Sequence, residues 1–147
     1  MGDLVSFRGL TPAEKQNEYI TIGGATFKTE DVEGFSQKSL KQNSVFLKNG
    51  VQIDYPGQQG RNGLDATVTL DKHGCMIVGG FSGGVITGSK KSDNIHVMNC
   101  QDLQIDVKGG NSIFRGDNVN YYDGSNKNIN VKSDSRDTVI TPNYPNK

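Results

Sequence analysis

The feature that most constrains this chain is a recurrence in its second half. The same residue classes return every 17 positions: Asn94, Asn111 and Asn128; Val97, Phe114 and Val131; Ile105, Tyr122 and Val139. Val78, Ile95 and Ile129 fall on a further register that Ser112 interrupts, and Ile86 matches Leu103. A period of this length fits a coil in which each turn supplies two or three short strands and stacks on the next at ~4.8 Å. One apolar position per strand then points inward, while asparagines stacked rung upon rung hydrogen-bond along the axis at the bends. Composition agrees, because no Glu follows Glu33, no Ala follows Ala66 and no Leu follows Leu103. Good helix formers have nearly vanished from this half. The expected fold is mainly β, a small parallel β-helix or β-solenoid, with a β-sandwich of irregular hairpins as the alternative.

The first 60 residues read differently. Thr11-Pro12-Ala13-Glu14 has the capping-box order with a first-turn proline, which predicts a short surface helix near 12–18. Gly23-Gly24 separates Ile20 and Ile22 from Ala25 and Phe27, the spacing of a two-residue hairpin. Asn49-Gly50 sits between Val45-Phe46-Leu47-Lys48 and Val51-Gln52-Ile53-Asp54-Tyr55, a pattern that predicts a type I′ turn. The stretch from Glu30 to Gln42 reads as holding a helical turn. Residues 56–66 are rich in turn formers and read as a connecting loop. The whole chain, 1–147, is expected to be a single domain in which 1–60 form a helix-and-hairpin cap and 61–147 form the solenoid turns. Pro142 and Pro145 would end strand pairing at the far end.

Lys plus Arg equals Asp plus Glu at 16 each, so no whole-chain field steers the protein toward nucleic acid or an acidic membrane. No long apolar run or apolar leader segment is present, so neither a membrane span nor a secretion signal is expected. The chain is expected to be cytoplasmic as made, leaderless secretion leaving no such signature. Met1-Gly2-Asp3-Leu4-Val5-Ser6 matches a short myristoylation pattern in which Asp3 is an awkward neighbour. With only Cys75 and Cys100, no disulfide framework follows.

The 17-residue spacing also relates Asp106 to Asp123 and Asp117 to Asp134. Stacked carboxylates repel, so they must diverge into water, find Lys or Arg, or share a cation; calcium suits such oxygen-rich groups. The stretch from Gly109-Gly110-Asn111 to Gly124 resembles the glycine-aspartate nonapeptide repeat of calcium-binding RTX β-rolls, without its regular G-G-x-G-x-D phase. Asp102, Asp106, Asp117 and Asp123 with Arg115 could line a lateral groove of the kind used by carbohydrate lyases and hydrolases on parallel β-helices. His73 with Cys75, and His96 with Cys100, lack zinc spacing; His73-Gly74 reads as a hairpin tip with Cys75 opening the next strand. A polar face around Asn118, Asn120, Tyr121 or Tyr122, and Asn128 is the expected ligand-binding surface. The expectation is a non-enzymatic binding or structural module for a protein or glycan. The alternatives are a polysaccharide-active enzyme and a protein that self-associates through a solenoid end.

Overall fold

A computed structural model describes residues 5–39, 41–57, 66–70, 75–89, 94–107, 118–121, 126–133 and 139–141. Fourteen strands among them form two mixed seven-stranded sheets. In sheet A the order is β1 (Val5–Arg8), β4 (Val32–Ser39), β5 (Gln42–Leu47), β6 (Gln52–Tyr55), β9 (Ser82–Thr87), β11 (Gln101–Val107) and β13 (Lys127–Ser133). In sheet B it is β14 (Val139–Thr141), β12 (Asn118–Tyr121), β10 (Asn94–Met98), β8 (Cys75–Gly79), β7 (Ala66–Leu70), β3 (Ala25–Lys28) and β2 (Tyr19–Ile22).

The capping box forms as its sequence order requires. Glu14 N–H donates to Thr11 Oγ1 at 3.1 Å, and Thr11 N–H donates to Glu14 Oε1 at 2.8 Å. The helix α1 is a single turn, Pro12–Lys15, shorter than the 12–18 expected. It buries no side chain, so packing does not extend it. Thr29, in a 3-10 turn over Thr29–Asp31, also draws the chain away: its hydroxyl donates to Asn17 O at 2.6 Å and its N–H to Glu18 O at 3.0 Å. That turn reaches only the first two residues of the 30–42 stretch expected to hold a helical turn. Val32–Ser39 is instead the long strand β4, in which Gly34, Phe35 and Ser36 are all buried in succession, so no polar–apolar alternation marks it.

Gly23 and Gly24 take φ of 56° and 90° and join β2 to β3 as a two-residue turn, as expected. The second hairpin corrects its expectation. Gly50 N–H donates to Leu47 O at 3.0 Å and Leu47 N–H to Val51 O at 2.9 Å, which makes a three-residue loop of Lys48, Asn49 and Gly50. Within it only Gly50 has positive φ, at 93°. This is the turn-plus-bulge hairpin rather than type I′. Asn49 Oδ1 instead accepts from Val51 N–H at 3.1 Å, a local bond that holds the loop without a left-handed asparagine.

From β8 onward successive strands alternate between the sheets, and each pairs in parallel with the strand two further on. The 17-residue spacing is not the ladder spacing. Asn94 aligns with Cys75 and Asn118, separations of 19 and 24 residues; Gln101 aligns with Ser82 and Lys127, separations of 19 and 26. Val97 therefore faces Val78 and Tyr121 in its ladders, and Ile105 faces Ile86 and Val131. Inward apolar residues recur in β8, β9, β10, β11 and β13, so many spacings coincide by class, but connections of unequal length set the true register.

The chain bends between β8 and β9 at Gly80-Phe81, and between β10 and β11 at Asn99-Cys100, with Gly80 and Asn99 at φ 80° and 58°. These corners stack: Gln101 N–H donates to Phe81 O at 2.9 Å and Lys127 N–H to Cys100 O at 3.0 Å. Asn126 continues the column with its side chain, accepting from Cys100 N–H at 2.9 Å and donating to Val97 O at 3.0 Å. An asparagine does bind along the stack at a bend, but at a position outside the 17-residue series.

The sheets share one apolar cluster running from Ile22 to Ile105. Phe27 of sheet B, Tyr55 of sheet A and the corner Phe81 form an aromatic column, with ring centroids 6.4 and 5.3 Å apart. The Tyr55 hydroxyl donates to Ile22 O across the core, and burial pushes its pKa up. Asp31 is buried, its carboxylate accepting from Leu70 N–H at 3.2 Å; burial raises its pKa despite that bond.

Candidate binding face

Each sheet has one side in the core, and alternate residues therefore compose the other side. On sheet A the outer residues align in two rows. One runs Gly34, Phe46, Gln52, Thr87, Asp106 and Lys132; the other runs Ser36, Ser44, Asp54, Val85, Gln104 and Asn130. Their neighbours Val45, Ile53, Ile86 and Ile105 are fully buried. Seven strands at ~4.8 Å spacing make this face about 29 Å across.

Gln52 donates from Nε2 to both oxygens of Asp54 at 3.0 and 3.1 Å, and Gln104 donates likewise to Asp106 at 2.9 and 3.1 Å. Ser44 adds a hydroxyl bond to Asp54. These pairs come from the tripeptide Gln-Ile-Asp, which occurs at 52–54 and again at 104–106, with each isoleucine in the core. That exact recurrence is the signal in the sequence for this face, and its separation of 52 residues falls outside the 17-residue series. β6 is antiparallel to β9 and β9 parallel to β11, so the rows place Gln52 with Asp106 and Asp54 with Gln104.

At the edge of these rows Gly83, Asp102 and Asn128 align at matching register positions in β9, β11 and β13, with φ of 91°, 56° and 57°. Asn128 Nδ2 donates to Asp102 Oδ1 at 2.7 Å beside a pocket of about 400 Å³ that Gln104 and Asn130 also line. At the other end, Phe7 of β1 packs edge-on against Phe46, ring centroids 5.2 Å apart at 83°. Gly34 makes room for it: a Cβ there would stand 2.5 Å from Phe7 Cζ. Phe7 nonetheless keeps 57% of its surface exposed.

The expected site residues divide between the sheets. Asn118, Asn120 and Tyr121 lie on β12 of sheet B, aligned with Asn94, His96 and Val97, whereas Asn128 lies on β13 of sheet A. Tyr122 is outside the described residues. Asp106, expected to stack on Asp123, aligns instead with Thr87 and Lys132. Asp117, Asp123 and Asp134 lie outside the described residues. No group of three or more His, Cys, Asp or Glu placed to hold a metal occurs among the described residues. Cys100 is buried, its thiol turned to Met98 O at 3.5 Å, while Cys75 opens β8 as expected. No described helix is long and apolar enough to cross a membrane. Comparison with family models, curated proteins and solved structures finds no match to this chain.

Proposed function

We propose that the protein is a non-enzymatic binding module, a short β-solenoid extended by antiparallel strands, that recognises a glycan through the outer face of sheet A. The observation that supports this most is the pair of Gln-Ile-Asp arrays. Each fixes an amide and a carboxylate against one another, leaving the glutamine oxygen and the remaining carboxylate lone pairs as oriented acceptors. Sugar hydroxyls donate and accept, and a flat row of fixed polar groups meets them with little side-chain ordering on binding.

The test is incubation with a panel of polysaccharides, scoring retained protein and released oligosaccharide together, with calcium and with chelator. Retention without release is expected, weakened several-fold and gradually by Gln52→Ala, Gln104→Ala or Asp106→Ala. Oligosaccharide release that one Asp substitution abolishes in a folded protein would overturn the reading in favour of catalysis.

A further inference from the structure

The N-terminal end of the outer face differs from the rest. A groove of about 800 Å³ crosses β1, β4, β5 and β6, with Phe7 and Phe46 at one side and Ser36, Ser44, Gln37 and Gln52 along it. It adjoins a second hollow of about 400 Å³ through shared Lys38 and Ser44, where Lys41, Asp54 and Pro56 are among the lining residues. Neither Lys38 nor Lys41 has an ion pair among the described residues. Asp54, the acid nearest them in the lining, already accepts from Ser44 and Gln52. Glu33 stands at the aromatic end, five residues before Lys38 on β4 and so about 16 Å away along an extended strand. Polar side chains thus run along a largely apolar groove, with rings and one carboxylate at one end and two uncommitted ammonium groups at the other.

We propose that this groove binds an acidic, uronate-bearing oligosaccharide, one sugar ring lying on the Phe7–Phe46 platform and a carboxylate further along the chain meeting Lys38 and Lys41. The proposal rests on the glycan-binding reading above and adds the ligand's charge and direction. An extended peptide fits less well. The groove floor is made of β4 and β5, interior strands with a neighbour on each side, so strand addition is open only at β1 on its rim and not along the floor. What remains available is an aromatic face, hydroxyls, amides and cations. The exposed Phe7 ring and the glycine beneath it form a built platform, since any side chain at 34 would displace the ring.

Calorimetric titration with tetragalacturonate and with its methyl ester tests this on the wild type, Phe7→Ser and the double variant Lys38→Gln/Lys41→Gln, with melting curves confirming that each is folded. The acid should bind at least about tenfold tighter than the ester, and raised salt should narrow that gap. Lys38→Gln/Lys41→Gln should lose about tenfold for the acid and leave the ester unchanged; Phe7→Ser should lose about tenfold for both. Equal binding of acid and ester, or unchanged binding by either folded variant, overturns the acidic subsite. If the wild type is still retained on polysaccharides in that case, the wider glycan-binding reading survives; if nothing is retained, both fall.

Discussion

The two parts of sheet A solve the same pairing problem by different means. β1, β4, β5 and β6 meet their neighbours antiparallel, with β5 and β6 joined by a three-residue loop, whereas β9, β11 and β13 meet parallel partners 19 and 26 residues away. A hairpin's register is set by its own turn, within a few residues of sequence. A parallel register is set by what stacks at the corners, here Phe81, Cys100 and Asn126 in one column. The first kind of information is local, and the second is distributed over three passes of the chain.

The seam between the two parts offers the largest expected effect. β6 meets β9 where Gly84 takes φ 129°, and a Cβ on it would stand 2.8 Å from Asp54 O. Gly84→Val meets both a forbidden backbone conformation and a backbone oxygen that cannot swing aside. We expect a loss of about 3 kcal/mol or more in urea unfolding. A loss below ~1 kcal/mol would mean that the antiparallel and parallel parts do not abut as closely as this seam requires.

Next in size is Asn126→Ala. Its amide serves an N–H on one corner and a carbonyl on β10, both within the buried column. Leaving both unmatched should cost about 2–4 kcal/mol, read from the same unfolding curves. Asn43→Ala, in the antiparallel part, should cost less, about 1–2 kcal/mol, because one of its two bonds is a long 3.4 Å contact to Tyr55 O. Equal losses would break the distinction between corner-set and turn-set register.

The same distinction explains what could be read without coordinates. Thr11 with Glu14, and Gly23 with Gly24, act over a few residues, and their residue types nearly dictate the geometry. The mainly β character was legible as well, from the loss of helix formers after Ala66. The ladder register was not, because unequal connections separate the rungs and several inward apolar positions per pass allow more than one alignment by class. Asn128 stands out in the sequence only as a polar surface residue, and its bond to Asp102, 26 residues away, has no local signal. The Gln-Ile-Asp recurrence lay in view, yet its meaning depends on β6 and β11 belonging to one sheet, which only the topology supplies.

A smaller effect separates conformation from bonding at the left-handed column. Asp102→Val puts a β-branched residue at φ 56° and removes the Asn128 bond, and should cost about 2 kcal/mol. Asp102→Gly removes the same bond but relieves the backbone, and should stay within ~0.5 kcal/mol of wild type. Were the two variants equally destabilised, the side-chain bond rather than the repeated left-handed position would be what aligns β11 with β13.

The smallest expected effect is one of pH, and it lies in the antiparallel part. Arg8 grips Glu14 through two bonds, Nη1 to Oε1 at 2.9 Å and Nη2 to Oε2 at 3.0 Å, while its guanidinium rests 4.6 Å from the Phe35 ring centroid. The Arg8 bonds, then the Thr11 N–H, hold the Glu14 carboxyl down at about 2. A depressed folded value means that its stabilisation is present above the ordinary carboxylate range and is lost as pH falls from ~4.5 toward 2. Both partners are partly exposed, so the whole contribution should stay below about 1 kcal/mol. Asp31 acts with the opposite sign: burial raises its folded pKa, so protonation as pH falls favours the folded state. Asp31→Asn keeps an acceptor for Leu70 N–H, so it should be neutral to stabilising at pH 7 and should steepen the acid loss by removing the opposing trend. Glu14→Gln keeps the bond from Thr11 N–H and removes the charge, so its stability should fall less than wild type's between pH 5 and 2. Parallel curves for Glu14→Gln and wild type would show that the Arg8 grip contributes nothing to holding α1 to β1.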